Sequence, residues 1–170
     1  MLKHQNGLKR LWWCIVLRDR ILSLSYRTCI QVTRVHFDFD AEAHAPLGFA
    51  DLASEIERSR VYNSGTKKSL IEILAYHLQL MVALTDLLVL VWPLDEVPQW
   101  ARRHGEEEAG KYERCKGQLR NWYQRSTARF PMPGDETLAR PSAAGRSGRG
   151  AEFHHDSVVL YTNLMYITYQ

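Results

Sequence analysis

The stretch from Ser64 to Pro93 constrains the fold more than any other part of this chain. Leu70, Ile73, Leu74, Met81, Leu84, Leu88 and Val91 cover most of a helical wheel, whereas Lys68, Glu72, Gln79 and Asp86 share one narrow polar stripe. A helix with that distribution is surrounded by protein on most of its circumference. Ser64 or Thr66 is the expected N-cap, and Pro93 stops the helix after Val91. Leu70 to Trp92 is also the strongest membrane candidate, but Glu72, His77, Gln79 and Asp86 would each be expensive at a bilayer centre. The segment therefore reads as a central buried helix, with no membrane partner.

Residues 8–25 form a second apolar helix. Leu8, Leu11, Trp12, Ile15, Leu22 and Tyr26 recur at helical spacing, and Trp13, Val16, Leu17, Ile21 and Leu24 fill most of the remaining circumference. Such a helix calls for neighbours on several sides. Trp12 and Trp13 read as core rather than as a ligand anchor, because large aromatics on an apolar helix are ordinarily buried. Asp19 falls in the densest apolar sector, where an unpaired carboxylate would cost several kcal/mol. An arginine or backbone donors are expected to meet it, and the adjacent Asp19 and Arg20 read as a structural ion pair, not an acid/base couple.

The other segments follow from their punctuation. Residues 28–46 mix β-branched residues, Phe37, Phe39 and three acids up to Pro46, an extended connection with room for a short strand. A short helix is expected at 49–60 and a charged surface helix at 105–128, with Tyr112, Cys115, Leu119 and Trp122 as its single apolar seam. Residues 131–152 collect Pro131, Pro133, Gly134, Pro141, Gly145, Gly148 and Gly150 with few large apolar side chains, and read as a disordered loop. Val158, Val159, Leu160, Leu164, Met165 and Ile167 then mark a helix running almost to Gln170. The expected fold class is all-α, an irregular multi-helix domain over residues 1–170, an incomplete portion of a larger helical domain.

Charge and chemistry-bearing residues narrow the function. A net charge of +3 falls short of the concentrated field of a self-sufficient nucleic-acid binder. Lys67 and Lys68, Arg102 and Arg103, and Arg140, Arg146 and Arg149 are scattered and read as solvated surface. Cys14, Cys29 and Cys115 have no CxxC or Cys/His spacing and read as reduced core thiols. No secretory signal is visible, because Arg18 and Asp19 end the apolar run from Leu11 to Leu17 before any small-residue cleavage site. His154, His155 and Asp156 are the one dense cluster of metal-ligand types, but adjacent side chains on a helix diverge, and they read as a polar helix start. No GxGxxG, P-loop or GxSxG spacing occurs, and no nucleophile and base constellation is suggested. The expectation is a non-enzymatic protein with no catalytic, metal-binding or cofactor-binding residues.

One segment carries a family resemblance. The run from Arg10 through Leu11-Trp12-Trp13 to Asp19-Arg20 and on to Arg27 resembles the signature of the fungal-specific transcription factor domain, the middle homology region of zinc binuclear cluster regulators. In that family a basic residue precedes Leu-Trp-Trp, an Asp-Arg pair follows on the same helix, and a Gly-Arg-Pro turn comes next. Arg10, Trp12, Trp13, Asp19, Arg20 and Arg27 occupy the corresponding places, whereas Tyr26 and Thr28 stand where the family has glycine and proline. Ile30-Gln31-Val32 and Asp38-Phe39-Asp40 resemble its strand-like link, the helix carrying His77-Leu78-Gln79-Leu80 its central helix, and Leu119, Trp122 and Phe130-Pro131 its later helix and exit.

The resemblance implies a regulatory, interaction-type domain in the nucleus. It would work through protein partners, either as a homodimer or with a full-length regulator, while a small-molecule effector stays open. The family's six-cysteine zinc cluster is not in this sequence. DNA would thus be reached only through a module outside it, and the chain reads as a fragment of a larger regulator. The alternative is a truncated stand-alone product that pairs with full-length regulators as a competitor. An apolar helix left without neighbours would also predict self-association.

Overall fold

The computed structural model describes residues 2–58, 61–94, 106–131 and 156–170. These residues form five α-helices, α1 (Leu2–Tyr26), α2 (Phe49–Arg58), α3 (Ser64–Val91), α4 (Glu106–Arg129) and α5 (Asp156–Tyr169), with a short 3-10 helix at Glu42–His44. No strand occurs among the described residues, so the fold class is all-α, as the periodicity predicts. The proposed disordered loop at 131–152 lies outside the described residues except for Pro131.

The helix boundaries follow local chemistry. The Asn63 side chain accepts the Thr66 N–H at 2.7 Å, so Asn63 caps α3 in place of the expected Ser64 or Thr66. Asp51 accepts the Gly48 N–H at 3.0 Å, a third-position acid reaching back to the start of α2. Glu106, Glu107 and Glu108 crowd the first turn of α4 and Arg129 lies in its last, the charge order that the helix dipole favours. α1 ends with Arg27 in the left-handed region at φ 55°, and the Thr28 N–H reaches the Ser23 carbonyl at 3.3 Å, closing a Schellman cap.

The chain divides into two compact units, Met1–Pro46 with Leu78–Tyr123 and Leu47–His77 with Gln124–Gln170. The division falls inside α3 and inside α4, so each of these helices contributes to both. In the first unit α1 buries Trp13, Val16, Arg20 and Ser23, a single i, i+3, i+7, i+10 stripe. Leu8, Leu11, Ile15, Ile21, Leu22 and Tyr26 stay exposed, which corrects the expectation of a helix covered on several sides. A wheel records which faces are apolar but not which of them find a neighbour, and the face that does so here includes an arginine and a serine.

In the second unit α5 buries Val158, Thr162, Met165 and Tyr166 along one face. The Tyr166 hydroxyl donates to the Phe130 carbonyl at 2.6 Å, and the Tyr76 ring meets the Phe130 ring edge-on at 5.3 Å between centroids. Tyr62 and Ser157 hydroxyls lie 3.0 Å apart. Lys67, expected at the solvated surface, is buried and its ammonium donates to the Ile56 carbonyl at 2.7 Å, tying α3 to α2.

The polar stripe of α3 is an anchoring strip. Glu72 takes a two-pronged contact from Arg129 at 2.5 and 2.6 Å within the second unit, and the two Asp86 oxygens share the single Arg34 Nε–H at 2.8 and 3.0 Å within the first. α3 is also long and apolar enough to cross a membrane by length and composition alone. The three cysteines do not share a core: Cys115 is buried, Cys29 half-buried and Cys14 exposed, and all are free thiols. α1 exposes Cys14 because the residue lies off the Trp13–Val16–Arg20 stripe.

His77 supplies a pH test of this packing. It is buried, its Nε2 has no partner among the described residues, and burial pushes its imidazole down to about 4. The unfolded chain takes up the proton near pH 6.5 and the folded chain does not until about pH 4, so this group's contribution to stability is complete above pH 6.5 and is lost as pH falls between those values. Urea unfolding at pH 7 and pH 5 should differ by about 2 kcal/mol from this residue, and His77→Leu should remove that difference.

Candidate functional site

Two of the residues carrying the family resemblance, Asp19 and Arg20, form a polar clasp in the first unit. Asp19 and Arg20 are neighbours on α1, and the Arg20 guanidinium donates to the Asp19 carboxylate at 2.6 Å. Asp19 also accepts the backbone N–H of Gln31 at 2.9 Å and of Val32 at 3.2 Å. Arg20 donates through its other terminal nitrogen to the Val32 carbonyl at 2.7 Å and to the Thr85 hydroxyl at 2.9 Å, and Thr85 in turn donates to the Met81 carbonyl at 3.1 Å. The Phe39 ring lies 5.4 Å from the guanidinium carbon.

This arrangement explains why Ile30-Gln31-Val32 is not a strand. The backbone groups of Gln31 and Val32 that a strand partner would satisfy are met by one carboxylate and one guanidinium instead. Arg20 is 0% exposed, and burial pulls its pKa below the ordinary value while the Asp19 charge and hydrogen bond pull it back. An arginine so buried depends on Asp19, Val32 and Thr85 receiving its terminal N–H groups, while its Nε has no partner among the described residues. The expected pairing of Asp19 is thus present, with both an arginine and backbone donors.

Of the remaining signature residues, Trp13 and Trp12 connect to the clasp through Phe39 and Phe37. Trp13 is 1% exposed, with its ring 6.2 Å from that of Phe39. Trp12 is half-buried, 4.6 Å from the Phe37 ring, which contacts Phe39 at 4.9 Å and the His44 imidazole at 4.4 Å. Arg10 is half-buried earlier on α1. Arg27 is exposed and fills the left-handed cap where the family pattern would put its central turn arginine; Ser23, buried beneath it, donates its hydroxyl to the Thr28 carbonyl. His154, His155, Arg102, Arg103, Arg140, Arg146 and Arg149 lie outside the described residues, and Asp156 is exposed at the start of α5. Among the described residues no group of three metal-ligating side chains occurs.

A groove beside the clasp escaped the sequence reading. It encloses about 590 Å³ between the end of α3 and the start of α4. Asp86, Val89, Leu90 and Pro93 face it from one side and Lys111, Arg114, Cys115 and Gln118 from the other, each set at i, i+3, i+4, i+7. Thr33, Arg34 and Val35 close one end, with Arg34 bridging Asp86 and, at 2.7 Å, Asp40. Cys115 lies at its base, where burial first and the Asp86 charge second push the thiol up, away from nucleophilic use. The apolar seam of α4 did signal Cys115, and the polar stripe of α3 signalled Asp86. Nothing local linked either to Arg34, which precedes Asp86 by 52 positions.

Asp19→Asn should destabilise the chain by about 3 kcal/mol, because it leaves the Arg20 charge buried without its counter-ion. A double-mutant cycle with Arg20→Met, read by chemical denaturation, should recover part of that loss. Arg27→Gly should stabilise by about 0.5–1 kcal/mol, since glycine occupies the left-handed cap without the Cβ penalty.

Compared with protein-family models, with curated proteins and with solved structures, the chain gives no match.

Proposed function

We propose that this chain is a regulatory, protein-binding module of a fungal transcription regulator, working in the nucleus and reaching DNA only through a separate module. The resemblance of residues 10–27 to the fungal-specific transcription factor domain supplies the class. The observation that carries the reading is the outer face of α1. One side of that helix is clamped by the Asp19–Arg20 clasp, while Leu8, Leu11, Ile15 and Leu22 stand exposed at spacings of three, four and seven residues. That is the seam by which one helix packs on another, and the exposed Arg18 at the intervening position would set its register.

A row of large aliphatic side chains on a rigidly held helix favours a helical protein partner, a second copy or a full-length regulator, over a small solute. Two such side chains each contribute about 1.5–3 kcal/mol when buried, enough to decide whether a partner stays bound. On this reading Trp13, Asp19 and Arg20 do not contact the partner. Asp19, Arg20 and Trp13 fix the orientation of α1, and the surface presented is made by Leu8, Leu11, Ile15 and Leu22 off their stripe.

Fused to a heterologous DNA-binding module in a yeast reporter strain, the chain should change reporter output severalfold. Leu11→Lys with Ile15→Lys should return output to that of the DNA-binding module alone while leaving the circular dichroism of the chain unchanged. An output that is the same for the chain, for the double variant and for the DNA-binding module alone would contradict the proposal.

A further inference from the structure

We propose that the groove between the end of α3 and the start of α4 binds a small monoanionic amphiphile, a carboxylate carried on an unbranched acyl or aryl body. The inference rests on the groove alone and does not depend on the function proposed above. Its volume of about 590 Å³ lies within the range of about 300–1,000 Å³ typical of small-molecule sites. Its apolar lining comprises Val89 and Leu90 on α3, Pro93 and Leu94 after it, and Val35 at one end. Val35, Val89 and Leu94 are all exposed, so apolar surface is presented to water in a concave setting, where an apolar body of matching width would cover it.

The charges around the wall define the head group. Three cations line the groove, but Arg34 is neutralised by Asp86 and Asp40, and Lys111 by Glu107 at 2.7 Å. Arg114 makes no hydrogen bond or ion pair among the described residues, the Glu107 charge acting on it less than on Lys111, and its neighbour one turn on, Gln118, adds an amide donor. One available guanidinium matches one carboxylate in a two-pronged contact. A dianion or a phosphate ester would set its second charge against Asp86 and Glu107, and a cation would face Arg114 itself. The head is therefore singly negative and planar, and the rest of the ligand is apolar.

Isothermal titration of the full chain with sodium octanoate, octanol and octylammonium tests this, using Arg114→Gln and Val89→Glu as variants. Both substituted side chains are exposed, so folding is preserved. Octanoate should bind saturably with one site per chain, octanol about fivefold more weakly, as for a solvent-exposed charged contact, and octylammonium not at all. Arg114→Gln should weaken octanoate about fivefold without changing octanol, and Val89→Glu should weaken both. Absence of saturable octanoate binding, equal affinity for octanoate and octylammonium, or octanoate binding unaffected by either variant would overturn the proposal.

Discussion

The first unit depends on the burial of one arginine. Arg20 has no exposed surface, and its terminal nitrogens reach three elements: Asp19 on its own helix, the Val32 carbonyl in the connection after α1, and the Thr85 hydroxyl on α3. Removing a guanidinium from water costs several kcal/mol, which its counter-ion and the acceptors of its terminal nitrogens offset here, while its Nε has no partner among the described residues. The connection after α1 is held by this requirement rather than by a sheet, since Asp19 takes up two of its amides. Phe39 lies over the guanidinium and meets Trp13 and Phe37, so the aromatic cluster is a continuation of the same constraint.

Two surfaces follow from this geometry. The clasp uses one narrow stripe of α1 and leaves the outer apolar row facing away from it, which is the basis for reading the chain as a partner-binding module. Arg34, delivered by the connection that Asp19 and Arg20 hold, pairs with Asp86 and closes one end of the groove between α3 and α4. A loss of the clasp would therefore disturb both surfaces, although neither contains Asp19 or Arg20.

Much of this organisation was legible in the residues. The helices over 49–60, 64–91 and 105–128 are found close to those limits and the one over 8–25 ends where expected but starts earlier, at Leu2, because apolar spacing and the proline after Val91 are local signals. The burden on Asp19 was legible for the same reason: a carboxylate in an apolar sector demands partners. What was not legible depends on distance in the chain. The cap of α3 is Asn63, one residue before Ser64 and three before Thr66, since any short polar side chain can serve there. The burial of Lys67 and the exposure of Leu8, Leu11 and Ile15 depend on which neighbours each face meets, and periodicity does not carry that information. The groove was invisible because its two walls come from separate helices and its closure depends on Arg34 meeting a residue 52 positions away.

The most direct measurement is amide hydrogen exchange at Gln31 and Val32. Both lie outside any helix, and Gln31 is exposed, so an unconstrained connection would exchange at the rate of a free peptide. If Asp19 holds these two amides, they should be protected about a hundredfold or more, comparably to helical amides of the same unit. Exchange at free-peptide rates at both positions in the folded protein would contradict the clasp and the account built on it.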